Sequence, residues 1–292
     1  MRNHTDRRRV THPMFVTVLI LLACPLWVWA QESAASPAEV SAPMETPDAD
    51  AAAVPATPLL TAAPTPAVRE VSWLKLPRNI IQDQRTIWLS PLKLKEPRYW
   101  IPTAALLGVT VGLLELDPKE GHYFRNTHFF NPYNNVFAGT TTSRAMWVFP
   151  FAFYGAGLVF KDSKMKSTAL LVGEAVADSE ILTTIAKDID RRKRPQDLPA
   201  NADFYSNTWF VGKGGGVQSN GSFPSGHTIA AFSTATIIAH RYGNHKWVPY
   251  VAYGTAALVA FSRLTLSSHW GSDVFVGGVL GYTISRFAVL HE

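Results

Sequence analysis

At 292 residues, 47% of them hydrophobic and 17% charged, the chain is long enough for one large domain or two small ones and more apolar than soluble domains usually are. The first thirty residues supply much of the formal charge of +5; without them 23 basic side chains face 21 acidic ones, too even a balance for a nucleic-acid footprint, which needs a clustered basic stripe. The single cysteine, Cys24, excludes an internal disulfide and a thiolate zinc cluster.

Residues 1–30 have the parts of a secretory signal: Arg2, Arg7, Arg8 and Arg9, then an apolar stretch over 14–29, then Ala30 before polar Gln31. Cleavage after Ala30 is the leading expectation. The same apolar run could stay as a membrane anchor, and Leu21-Leu22-Ala23-Cys24 is similar to a lipoprotein box that would put a lipid on Cys24. All three readings export the chain to the bacterial cell envelope, as a periplasmic or periplasm-facing protein. Residues 31–68, dominated by Ala, Pro, Ser and Thr, bury too little apolar surface to offset ordering and are expected to form a disordered tether.

Residues 69–98 form a lead-in segment. Its alternation of apolar and charged groups predicts an amphipathic helix over 78–89, packed on the domain or, less simply, on a membrane surface. Residues 99–292 then carry apolar segments at 99–116, 145–160, 167–186, 228–240, 247–261 and 274–290, too long for strands and without alternation. The expected fold is all-α, a bundle of about six helices. The uncharged runs are slightly short of the roughly 18–20 residues of a span, and the third segment carries Glu174, Asp178 and Glu180, expensive in lipid unless paired. A membrane-embedded bundle and one with an ordinary buried core both remain open.

Three stretches carry chemistry. Residues 187–195 read Lys-Asp-Ile-Asp-Arg-Arg-Lys-Arg-Pro, predicting a helix that ends at Pro195 and sends Lys187 and Arg194 forward; alone, such a run is usually a solvated face. The connection 196–223, with Gly214 to Gly216 and Trp209-Phe210, reads as a mobile, partly aromatic loop able to form a rim over a substrate. Pro224-Ser225-Gly226-His227 precedes an apolar run, so Ser225 and Gly226 fall at a helix start whose free amides suit an anion. Alone, His227 reads as a capping or core histidine. Finally, Ser262-Arg263 is followed by His269 and, four residues on, Asp273. Arg263 offers a planar fork to phosphate oxygens, and Asp273, predicted on the same helix face as His269, can bind one ring nitrogen and leave the other as a nucleophile.

Taken in order, Lys187, Arg194-Pro195, Pro224-Ser225-Gly226-His227, Ser262-Arg263, His269 and Asp273 resemble the signature of the superfamily of type-2 phosphatidic acid phosphatases, class A acid phosphatases and vanadium haloperoxidases. The resemblance implies a metal-independent histidine phosphatase. In it His269 takes the phosphoryl group, Asp273 orients His269, and His227 protonates the leaving oxygen, while Lys187, Arg194, Ser225, Gly226 and Arg263 hold the phosphate. No cofactor is implied, with vanadate an inhibitor, or a cofactor in the haloperoxidase alternative. The expected substrate is a lipid phosphate or diphosphate at a membrane. The alternatives are a soluble periplasmic acid phosphatase on small phosphate esters and a non-catalytic binder of phosphate headgroups. No nucleic-acid partner is expected, and the other histidines show no metal-ligand spacing. A protonated His227 and a neutral His269 predict turnover that peaks at mildly acidic to neutral pH.

Overall fold

A computed structural model of the chain describes residue 69 and residues 71–90, 97–199, 201–212 and 221–291. The signal with Cys24, the tether and the glycine run at 214–216 lie outside the described residues. Eight α-helices are described: α1 Leu76–Leu89, α2 Pro97–Arg125, α3 Asn131–Val136, α4 Gly139–Val159, α5 Ser163–Asp190, α6 Gly226–Arg241, α7 Trp247–Thr265 and α8 Gly271–Thr283, the last continuing as a π-helical turn over Ile284–Val289. The described residues contain no strand. The six apolar segments are α2 and α4 to α8, and the lead-in is α1. The short α3 escapes the apolar pattern because Asn131, Asn134 and Asn135 leave it no continuous apolar face.

Helix α6 is the hub, packed against α5, α7 and α8. One core cluster joins Phe232 and Ala235 of α6 to Ala256 and Val259 of α7, Val274 and Phe275 of α8, and Leu113 of α2. A second joins Ile229 and Ile237 of α6 to Leu171, Val172 and Val176 of α5 and to Val289 of the π turn. Small residues let the helices approach. A Cβ on Gly281 would lie 2.4 Å from the Ile229 carbonyl oxygen, so α8 crosses α6 almost at backbone contact. This alternation brings the C-terminal ends of α5 and α7 and the N-terminal ends of α6 and α8 to one end of the bundle.

The lead-in helix α1 does pack on the domain, but the face it turns inward is partly polar. Asn79 and Asp83 are buried beside half-buried Ile80 and Ile87, whereas Ile81 and Trp88 are exposed. The reason is a set of acids on α5. Arg69 donates to both oxygens of Asp83 at 2.9 Å and reaches Glu174 at 2.7 Å, and Gln84 donates to Asp178 at 2.9 Å. Of the three acids within the 167–186 segment, Glu174 and Asp178 are thus paired within protein. Much of the remaining exterior is apolar, including Leu107 and Val111 of α2, Trp147 and Phe151 of α4, and Tyr250 of α7. Among the described residues one helix, over Ile101–Arg125, is long and apolar enough to cross a membrane, and only 11% of its most apolar window is buried.

Candidate active site

The site begins where α5 stops. The helix ends at Asp190, five residues before Pro195, because Arg191 turns left-handed at φ 45° and its N–H returns to the Lys187 carbonyl at 3.1 Å. Pro195 instead opens a short 3₁₀ turn, Pro195–Asp197. The Gly212 amide closes on the Arg191 carbonyl at 2.8 Å, and a Cβ there would lie 2.5 Å from that oxygen, so this approach requires glycine. The turn sends Arg192 inward.

The second stretch is drawn to the first and third by backbone bonds. Ser222 N–H donates to the Arg192 carbonyl at 2.8 Å, and Ser225 N–H to the Asp273 carbonyl at 3.1 Å. Helix α6 starts at Gly226 with Ser225 as N-cap, as its sequence predicts. Because the Ser225 amide is already bonded, the amides without an intrahelical acceptor are those of the first turn, beginning with Gly226 and His227. A Cβ on Gly226 would lie 3.7 Å from Lys187 Nζ, which puts the ammonium over the helix start. Ser225 Oγ accepts from the Thr228 hydroxyl at 2.9 Å.

His269 does not share a helix with Asp273. It lies in the connection between α7 and α8, whose Ser268 and His269 amides fold back on the Arg263 carbonyl at 3.0 and 3.2 Å, whereas Asp273 sits in the first turn of α8. The His269 Nδ1 partner is the Ser222 carbonyl at 2.7 Å, with Asp273 Oδ2 farther away at 3.7 Å. A carbonyl only accepts, so Nδ1 carries the proton and Nε2 keeps its lone pair. Burial, opposed by Asp273 and reinforced by the cations of Lys187 and Arg194, lowers the imidazole to about 4, so it is neutral at pH 7.

Asp273 belongs to a buried network whose other members the motif pattern missed. Its carboxylate accepts from Arg192 at 2.5 Å, from the Trp270 amide at 2.9 Å and from the Ser222 hydroxyl. Arg192 also donates to Asp117 of α2 at 2.7 Å and to Ser272 at 2.8 Å, and stacks on Trp209 at 4.4 Å. Burial alone would raise Asp273, but Arg192, His269 and Ser222 hold it down at about 2. The described part of the 196–223 connection is therefore partly internal. Trp209 backs the arginine, and Leu198, Phe204 and Trp270 form a small core of their own. The one sequence signal for this network was Asp117 itself, a carboxylate following an apolar run, where it needs a partner.

The cations are likewise pre-set. Arg263 donates through Nε and Nη2 to the Ser262 hydroxyl at 3.0 and 2.7 Å, to Thr142 at 3.3 Å and to the Phe137 carbonyl, and burial lowers it only to about 10. Lys187 is lowered to about 8 by burial and by Arg194. His227 Nε2 faces Ser143 Oγ at 2.8 Å and the Gly139 carbonyl at 3.2 Å. Burial, Arg263 and His269 push it down to about 3, so both site imidazoles are neutral at rest, unlike the protonated His227 expected above. Lys187, Gly226 and His227 line one cavity of about 170 Å³ with Ser143, Trp147 and Glu180.

A cationic clamp at a helix start, beside a neutral imidazole of fixed tautomer, defines a histidine-centred anion site in a helical bundle. Residues 168–291, which hold every motif residue, match the PAP2 superfamily. Over 66 residues the chain is 40% identical to the Lipid A 1-phosphatase of Porphyromonas gingivalis, a match that covers 22% of this chain and 15% of that protein's length. No solved structure matches the chain significantly. Asp117, Gly139, Thr142 and Ser143, which brace the site from α2 and α4, precede the matched region.

Proposed function

We propose that the protein is a membrane-associated envelope phosphatase that removes phosphate from a lipid through a phosphohistidine on His269. The observation that carries the reading is the Nδ1–H to Ser222 carbonyl bond, which leaves the Nε2 lone pair available beside Lys187 and Arg194. In this mechanism Nε2 attacks phosphorus, the N–P bond forms as the P–O bond to the leaving group breaks, and His227 gives that oxygen a proton. Water then attacks the phosphohistidine, passing a proton back to His227, and the N–P bond breaks to release inorganic phosphate. The ionised Asp273 steadies the positive charge that develops on the ring. Lys187, Arg194, Arg263 and the α6 start stabilise the equatorial oxygens of the transition state.

The resting neutrality of His227 fits this cycle if the phosphate itself supplies the missing negative charge. A bound phosphate dianion offsets the cations that depress the imidazole and so raises its proton affinity. The apolar exterior, the α2 stretch able to cross a membrane and the name of the Porphyromonas relative support a lipid rather than a small ester as substrate. The reaction as written uses no metal, so a chelator leaves turnover unchanged. Replacing His269 by Ala is expected to lower phosphate release by about 10⁴-fold or more with the fold intact, and radiolabelled substrate should leave a trapped phosphohistidine only on the wild type. Full turnover by purified His269→Ala protein would end the histidine mechanism.

A further inference from the structure

Helices α4, α6 and α7 each turn a stripe of small or apolar residues, spaced three and four apart, toward a shared groove of about 620 Å³. At one end the groove reaches the phosphate site: Thr142, which lines it, accepts from Arg263 at 3.3 Å, and Met146 lines both the groove and the Lys187–His227 cavity. At the other end it reaches Trp247. From Trp247 to Val259 along α7 is about 18 Å at roughly 1.5 Å per residue. That is slightly more than half of a hydrocarbon layer of about 30 Å, the depth to which one lipid chain extends from its headgroup.

Resting on the phosphatase reading above, we infer that this groove is the acyl-chain subsite, seating one hydrocarbon chain of a lipid phosphate while its phosphate sits in the clamp. The occupant is the substrate's own chain, because the groove joins the phosphate site at Thr142 and Met146. The opposite end lies about one chain length away. Thr234 of α6 and Ala252 of α7 line its middle, and neither takes part in the clamp or in proton transfer.

The test compares alkyl phosphates of increasing chain length, kept below micelle formation, on the full chain and on Thr234→Trp and Ala252→Trp. In the wild type kcat/KM should climb by up to about fourfold per methylene and level off once the chain spans the groove. In either variant the climb should stop several methylenes earlier, with turnover of ethyl phosphate, which has no chain to seat, serving as the fold control. An identical climb in wild type and in variants that still turn over ethyl phosphate overturns the subsite. A second arm needs no turnover: a long alkyl phosphate with a photoreactive diazirine at its chain end should label residues within 142–165 or 231–259, compete with the unlabelled compound, and lose that label in Thr234→Trp. Competable label elsewhere, or label unaffected by the substitution, also overturns it. Competable groove labelling without phosphate release from any ester would support the subsite and defeat the phosphatase reading instead.

Discussion

Two buried arginines organise two charge networks, and the fates of their carboxylates differ. Arg192 serves two carboxylates, Asp117 and Asp273, which also receive bonds from Ser272, Ser222 and the Trp270 amide. Arg69 pairs with Asp83 and Glu174 while also donating to the Ala288 and Val289 carbonyls, and buried Asp178 lies beside this group. The consequence is a different protonation for the carboxylate beside His269. Asp273 is held ionised at about 2, whereas burial and the neighbouring Asp83 push Glu174 up to about 8 and Asp178 to about 7. An ionised carboxylate can stabilise charge developing on His269, whereas protonated carboxyls serve to hold α1 on α5. Donor supply separates Asp273 from Glu174 and Asp178, whereas burial still pushes Asp117, on the same arginine, up to about 6.

The contrast is tested most severely by removing each arginine. Arg192→Met leaves two carboxylates buried without their counterion. It should cost about 3–5 kcal/mol of stability and abolish turnover. Arg69→Met should cost less, because the acids it strands can take up protons, and it should retain turnover per folded molecule. Denaturant titrations paired with phosphate-release assays measure both, and equal losses would erase the distinction.

Asp273 and the two site imidazoles should answer pH with the opposite sign to Glu174 and Asp178. Glu174 and Asp178 have folded values above their unfolded values near 4, so their contribution is full below about pH 4 and is lost as pH rises through about 7 and 8. Asp273 contributes above its unfolded value and loses that contribution as pH falls through about 2. The depressed imidazoles of His269 and His227 act in the same direction, because below about pH 6.5 the unfolded chain takes up protons that the folded one refuses until about 4 and 3. Hydrogen exchange corrected for intrinsic rates should therefore show α1 loosening between pH 6 and 9. Glu174→Gln should flatten the alkaline response of α1 and leave α8 unchanged.

The smallest effect is expected from Ser222→Ala. It removes one donor from Asp273 but keeps the backbone carbonyl that orients His269, so about 1 kcal/mol of stability should go while most turnover persists. A collapse of activity would show that Asp273, rather than the carbonyl, sets the imidazole tautomer.

What was legible in the sequence was local. The apolar runs located α2 and α4 to α8, and Pro224 to His227 marked the start of α6, because periodicity and capping act within a few residues. The motif spacing also singled out Lys187, Arg194, Arg263, His227, His269 and Asp273, which the fold gathers at one end of the bundle. Spacing misled where backbone geometry intervened: Arg191, not Pro195, ends α5, and His269 lies before α8 rather than on it.

The tertiary structure alone decided the partners. The tautomer of His269 is set by a carbonyl 47 residues away, and Asp273 is kept ionised by an arginine 81 residues away. The packing of polar Asn79 and Gln84 on α1 depends on acids more than ninety residues downstream. A sequence displays donors and acceptors, but the environment that fixes protonation and orientation is made by segments far apart in the chain, and exists only once the helices have packed.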